Sequence, residues 1–250
     1  MIKFFRILRQ NLFSGGKPTG YLKYAIGEII LVTIGILIAI QLNEWNQQRL
    51  ERNQYTVVLQ NLKEEFIRTK ELLTEITSKY VTSIQANLQL MQMIASQDEP
   101  ISEFQIDSLI SKSMMQPPFF PLQPTLAELI NSGNIKSMPN DALKRRLYDW
   151  ESTIKWFHFD YDLYINFNNQ QFQPYINTHW SWKNIDIAEG SKQVQSRSNL
   201  TNNPLKMMHD LEFENLVDQN LFQANRLHRR LEGVGTMIEM LLDELETSLQ

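Results

Sequence analysis

The run from Ile29 to Ile40 limits what this chain can become more than any other feature. Nine of its twelve residues are Ile, Leu or Val. With its flanks it reads YAIGEIILVTIGILIAIQL, Tyr24 to Leu42. As a helix, this stretch would reach roughly 28 Å, close to the hydrocarbon thickness of a bilayer. Its aliphatic residues supply about −3 to −5 kcal/mol toward insertion. Glu28 opposes them, but it sits in the first turn, where an acid costs less than the roughly 2.5–3.5 kcal/mol it would cost at the bilayer centre. The balance predicts a membrane span rather than the buried core helix of a soluble protein. A cleaved signal peptide fits less well. The run is long for one, and Gln41-Leu42-Asn43-Glu44-Trp45 is not a small-residue cleavage site. Without cysteine there is no lipoprotein anchor either.

The flanking charges orient the span. Lys3, Arg6, Arg9, Lys17 and Lys23 precede it with no acid among them. The comparable stretch beyond it holds only Arg49 and Arg52. Lys and Arg stay cytoplasmic, so the N-terminus is expected inside and the bulk of the chain exported. Trp45 fits an interfacial anchor, as do Lys3, Arg6, Arg9 and Lys23 at the other face. In MIKFFRILRQNLF, Phe4, Phe5, Leu8 and Leu12 share one helical arc and Lys3, Arg6 and Arg9 the opposite one. That pattern suits a helix lying in an anionic membrane surface, with a disordered basic tail as the alternative. Ser14-Gly15-Gly16-Lys17-Pro18 would break it before the span. The expected organisation is a basic cytoplasmic segment (1–23), a transmembrane helix (24–42) and an extracytoplasmic domain (43–250).

Five of the 24 Lys and Arg, and one of the 28 acids, precede Asn43. That leaves 19 against 27 beyond the span, a formal charge of −8. Nucleic acid is therefore disfavoured as a partner, because phosphate neutralisation needs a basic surface. With no cysteine there is no disulfide framework, thiol nucleophile or thiolate metal site. Nine Gly and nine Pro in 250 residues leave room for long helices.

Those helices are visible in the spacing. Asn43 to about Ser96 reads as one helix, continuous with the span or hinged from it. Its apolar seam is Leu59, Leu62, Phe66, Leu73, Ile76, Tyr80, Ile84, Leu88 and Met91. The heptad is expected to slip after Tyr80, where two steps of four succeed each other. Asp98-Glu99-Pro100 stops it. A short helix follows near Ser102–Met114. Four prolines between Pro117 and Pro124 then forbid regular helix. Thr125–Ser132 is a short helix closed by Gly133 in the left-handed region. Asp141 to about Phe172 carries one seam of Leu143, Leu147, Trp150, Ile154, Phe157, Tyr161 and Tyr164. A second seam of Trp156, Phe159, Leu163 and Phe167 suggests neighbours on both sides. Gln173–Pro204 looks irregular. Phe213–Leu249 is the clearest helix, with Ala224, Leu227, Leu231, Val234, Ile238, Leu241 and Leu245 alternating three and four. The predicted fold class is all-α: one N-terminal transmembrane helix followed by a bundle of long amphipathic helices.

Tyr24-Ala25-Ile26-Gly27-Glu28-Ile29, Leu31-Val32, Gly35-Ile36-Leu37-Ile38-Ala39, Gln41, Asn43, Trp45 and Asn46 resemble the N-terminal signature of a family of uncharacterised bacterial membrane proteins. The preceding basic segment, Glu128-Leu129, Ser132-Gly133-Asn134 and the long C-terminal helix fit it too. The resemblance implies a single-span, N-in protein of a Gram-negative envelope. It brings no chemistry and no catalytic residues.

The residues themselves yield few candidate sites. Gly27, Leu31, Gly35 and Ala39 form one ridge of the span, where small residues would let a second helix approach closely. Common glycine and alanine usage in spans is the plainer reading. Glu28 either contacts a partner helix inside the membrane or reaches back to the headgroups. His158, His179, His209 and His228 show no metal-ligand spacing, and His158 with Asp160 would offer only two ligands. No nucleophile elbow or phosphate loop occurs. Gly233 and Gly235 lie inside a heptad helix, where packing against a bulky neighbour, or a bend, would explain them. Asp160 and Asp162 are two apart and do not face each other on a helix. His179-Trp180-Ser181-Trp182 and Phe119-Phe120 either line a ligand site or plug the end of the bundle.

No catalytic, cofactor or metal site is therefore expected. The reading is a membrane-anchored structural or interaction protein, single-pass in the inner membrane, with a periplasmic helical domain. Its partners would be the lipid bilayer and a second copy or another membrane protein. An envelope sensor or ligand-binding module signalling through a partner is the first alternative, and an enzyme the second.

Overall fold

The computed structural model describes residues 18–94, 102–200 and 203–250, with side chains from residue 25 onward. Lys3, Arg6 and Arg9, the expected in-plane helix and the expected stop at Asp98-Glu99-Pro100 lie outside the described residues, as does the Lys23 side chain. The described residues contain helices and no strand. The helices are α1 (Pro18–Met93), α2 (Glu103–Ser113), α3 (Pro124–Asn131), α4 (Asp141–Phe167), α5 (Gln173–His179), α6 (Trp182–Ala188), α7 (Pro204–Met208) and α8 (Leu211–Leu249). A 3-10 turn covers Asn134–Ser137 and a π-helical turn covers Asn168–Phe172.

The chain divides into two compact units, Met1–Val57 and Val58–Gln250. In the first, the apolar stretch is part of α1 rather than a separate element. Pro18–Met93 is one helix of 76 residues, with no hinge after Leu42. Its described course ends at Met93, and Ser96 lies outside the described residues. Every residue from Ile29 to Gln54 is exposed, and none of the most apolar window is buried.

The second unit is a bundle whose core is shared by α1, α4 and α8. Lys63 meets Glu246, Lys70 meets Glu239 and Asn87 meets Asn220, so α8 runs antiparallel to α1. Asn140 meets Glu244, Asp160 meets Arg226 and Asn168 meets Asn220, so α8 is antiparallel to α4 as well. Helices α1 and α4 are therefore parallel, and residues 94–140 form the crossover between them.

On α1, Leu59, Leu62, Phe66, Thr69, Leu73, Ile76, Tyr80, Ser83, Asn87 and Leu90 are all buried. Steps of three and four alternate through all ten. The slip expected after Tyr80 does not exist: Leu88 is exposed, and Ile84 and Met91 are only half-buried. The seam continues through the polar Ser83 and Asn87, which a search for apolar residues passes over. Helix α8 follows the same rule, with Phe213, Val217, Asn220, Ala224 and Leu227 leading into the aliphatic run to Leu245, all buried.

Two further expectations need correction. The second seam of α4 does not face a neighbour: Trp156, Phe159 and Leu163 are exposed, and only Phe167 is buried. Gln173–Pro204 is not irregular throughout, since it contains α5 and α6. Pro174 does not end the helical run, since Phe172 and Gln173 before it keep right-handed helical backbone. The π-helical turn before it carries the chain past the proline, with the Gln173 N–H reaching the Asn168 carbonyl. Gly133 adopts φ 76° behind α3, as the spacing suggested.

Candidate functional site

Four features could carry function: the apolar stretch of α1, a polar layer inside the bundle, a groove beside the proline-rich segment, and an arginine cluster between α4 and α8.

Gly27, Gly35 and Ala39 are exposed along the apolar stretch. A Cβ on Gly27 or Gly35 would meet nothing within 4 Å, so packing within the chain does not require either glycine. Glu28 is half-buried and interacts with other residues of the chain. The Thr33 hydroxyl donates to the Ile29 carbonyl at 2.8 Å and is satisfied within the helix. Trp45 is exposed beyond the aliphatic run.

The polar layer joins four elements. Asn220 of α8 donates to Asn87 Oδ1 at 3.0 Å and to the Ser113 carbonyl at 2.9 Å. Ser83 donates to the same carbonyl at 2.7 Å. Asn168 donates to Gln116 Oε1 at 3.0 Å and Asn220 Oδ1 at 3.3 Å. Ser83, Asn87, Ser113, Asn168 and Asn220 are all fully buried. The hydroxyl of Tyr164 and Oδ1 of Asn168 are buried without a hydrogen bond of good geometry. Burial pushes the Tyr164 phenol up to about 12, while the nearby Ser83 and Asn168 side chains pull the other way.

The proline-rich segment is fixed through its carbonyls. Prolines cannot donate, but their neighbours' oxygens still need partners. Tyr161 donates to the Gln116 carbonyl at 3.3 Å, Tyr80 to Pro117 at 3.2 Å and His158 Nε2 to Phe119 at 3.0 Å. Phe119 is buried edge-on to Phe157, 5.8 Å between ring centres. Trp150 Nε1 donates to Gln123 Oε1 at 2.7 Å. The next helix, α3, has no side-chain cap of its own. Glu65 of α1 supplies one, accepting from the Thr125 amide at 2.7 Å and the Leu126 amide at 3.4 Å. Beside this framework lies an open groove of about 630 Å³, lined by Phe120, Leu126, Ile130, Trp150 and Ile154, with Glu151, Lys155 and His158 at its edge.

Asp160 of α4 is fully buried and holds two arginines of α8. Arg226 binds Oδ1, and Arg230 Nε reaches Oδ2 at 2.6 Å. The Arg230 guanidinium also lies 5.9 Å from the centre of the Trp156 ring. Asp162 is exposed, so the two carboxylates do not share a site. A second buried acid, Asp107 of α2, accepts from Trp180 Nε1 at 2.7 Å and pairs with Arg197 at 2.7 Å. Trp180 thus fastens the α5–α6 corner onto α2 and acts as a plug, as does Phe119. Phe120 instead borders the groove.

The histidines are dispersed. His158 serves the Phe119 carbonyl, and His179 bonds the Tyr175 carbonyl at 3.0 Å while stacking on its ring. His209 bonds the Leu205 carbonyl at 2.9 Å, and His228 lies 3.9 Å from Glu232. Among the described residues, no three of His, Asp and Glu gather as a metal ion would need. A Cβ on Gly235 would touch Leu73 at 3.4 Å, which is the close packing expected there. Gly233 has open space around it, so that explanation fails for it.

The buried acids could not have been found from spacing. Asp107 and Asp160 look like solvent-facing residues until their arginine partners, far along the chain, are placed. Asn87 and Asn220 did carry a signal, because each falls on a heptad core position.

These features define a class: an all-α bundle protein with one N-terminal helix long and apolar enough to cross a membrane. The chain belongs to the family of unknown function DUF6090, which matches residues 28–171. That range is more than half of the chain. It takes in Glu28, the groove and the polar residues of α1, α2 and α4, but not α8. No curated protein and no solved structure matches the chain.

Proposed function

We propose that this protein is a membrane-anchored structural or interaction protein without catalytic activity. The stretch 24–42 crosses the bacterial inner membrane once, the basic segment 1–23 stays in the cytoplasm, and the bundle stands in the periplasm. The observation that carries this reading is the exposure of Ile29, Leu31, Leu37 and Ile38, each more than half uncovered. Such a continuous apolar surface is unfavourable in water and is matched by lipid. The surplus of Lys and Arg before the stretch supplies the orientation. The open ridge of Gly27, Leu31, Gly35 and Ala39 supports close approach by a second copy or another membrane helix. The groove beside Trp150 favours one further reading, a ligand-binding module that passes its signal to a partner.

The test is a reporter fused after Gln250 that is active only outside the cytoplasm, read together with carbonate extraction of membranes. Activity and a carbonate-resistant pellet are expected. A chain released by carbonate, or a silent reporter on an abundant fusion, overturns the proposal. For the ridge, Gly35→Leu is expected to lower the oligomer size in detergent.

A further inference from the structure

The outer face of the α4–α8 pair is unlike the rest of the bundle. Trp156 is 57% exposed, Phe159 53% and Leu163 37%, at steps of three and four along α4. Trp156 and Phe159 pack edge to face with ring centres 5.9 Å apart. On α8, Phe222 is 57% exposed. Arg226, Arg229, Arg230 and Gly233 follow it on one side of the helix, at helical spacing. The carboxylate that neutralises two of these arginines, Asp160, is fully buried. The surface therefore shows guanidinium groups while their counter-charge lies beneath. Beyond the apolar stretch the chain carries 27 acids against 19 bases, so three arginines gathered beside aromatic residues run against its overall charge, with exposed Asp218 one turn before Phe222 at their edge.

Gly233 adds an independent observation. It lies mid-helix and exposed, at a cost of about 1 kcal/mol relative to alanine. No left-handed backbone demands it, and a Cβ there would meet nothing within 4 Å. A glycine with no task inside the chain lets another backbone approach closely.

We infer that this face docks an acidic amphipathic helix of a partner protein. The inference names the partner class of the interaction reading above and rests on it, but it involves only the bundle. Two antiparallel helices leave a groove along their outer side, where a third helix lays its apolar stripe. Trp156, Phe159, Leu163 and Phe222 supply the aromatic and aliphatic anchors, and arginine beside aromatic residues is the usual composition of an energetic centre. The arginines select acids on the arriving helix and repel bases. A symmetric pair of copies would set the arginine rows against each other, which disfavours a second copy as occupant.

The experiment uses the full chain in detergent micelles and a fluorescent synthetic peptide of three Leu-Glu-Ala-Leu-Glu-Glu-Ala heptads. A peptide with Lys in place of Glu is the control. Saturable binding is expected for the Glu peptide and about tenfold weaker binding for the Lys peptide. Trp156→Ala, Arg229→Glu and Gly233→Leu are each expected to weaken binding about tenfold. Gly233→Leu is the decisive variant, because it improves helix propensity and should hold or raise the melting temperature while blocking close approach. Equal binding of both peptides, or unchanged binding by the three variants, overturns the inference. So does concentration-dependent dimerisation abolished by Gly233→Leu, which would assign the face to a second copy. The result does not depend on the anchor: a chain that proves soluble without detergent sinks the membrane reading and leaves this binding test intact.

Discussion

Asn220 donates to Asn87 across the centre of the bundle at 3.0 Å, and neither side chain reaches water. Buried amides are tolerated only when their hydrogen bonds are made, since each unpaired group costs about 1–3 kcal/mol. Asn87→Ala and Asn220→Ala should each lower stability by that amount in urea denaturation. The double variant should lose less than the sum, by about 0.5 kcal/mol or more, because the two share partners. Strictly additive losses would show that the amides act independently.

Glu65 caps a helix that lies about 60 residues further along the chain. Glu65→Ala leaves the Thr125 and Leu126 amides without acceptors and should cost about 1–2 kcal/mol. Glu65→Gln keeps one acceptor oxygen and should recover part of that loss. Amide exchange read by NMR should show the Thr125 protection falling first in the alanine variant. Unchanged protection would remove Glu65 from this role.

The Asp160 cluster should matter less than full burial of the carboxylate suggests. Breaking a fully buried ion pair costs about 3–5 kcal/mol. Here Arg226 and Arg230 are 31% and 45% exposed and can turn to water once the carboxylate is gone. Asp160→Ala should therefore cost about 2 kcal/mol in thermal or urea unfolding. Loss of cooperative folding would show that the pair organises the α4–α8 contact more deeply.

Burial raises the phenols of Tyr80 and Tyr164, the second to about 12. A group whose folded value lies above its unfolded value of 10.0 contributes its full stability below that pH. The contribution falls as pH climbs from about 10 toward 12, because the unfolded chain ionises first. Urea midpoints should hold steady to about pH 9 and then drop. Tyr164→Phe should flatten part of that drop and change stability little at neutral pH, since the hydroxyl makes no good hydrogen bond. An alkaline profile identical to that of the parent chain would refute this.

Local periodicity made the long helices and much of the core legible. Leu59 to Tyr80 and Ala224 to Leu245 announce their buried sides by spacing alone, and a glycine just past the short Thr125–Ser132 helix marks the Gly133 turn. Polarity hid the rest. Ser83 and Asn87 hold core positions, so an apolar seam drawn through Ile84 and Leu88 drifts onto a wetter face. Trp156 and Phe159 erred the other way, being apolar and yet exposed. Pro174 looked like a breaker because spacing does not reveal the π-helical turn that carries the helix through it. The Glu65 cap and the arginines around Asp160 join positions far apart in the chain, and neither partner alone carries a signal.

The wide turn at Asn168–Phe172 has a consequence for numbering along the polypeptide. A π-helical turn accommodates one residue more than regular α-helix would. Deleting a single residue among Asn169, Gln170 and Gln171 would let the helix close normally and leave all that follows in register, whereas the same deletion in regular α-helix would rotate it by about 100°. Phe172, Tyr175 and Ile176 would stay interior. Homologous chains one residue shorter in this interval should therefore run through it as regular α-helix and keep the same buried side.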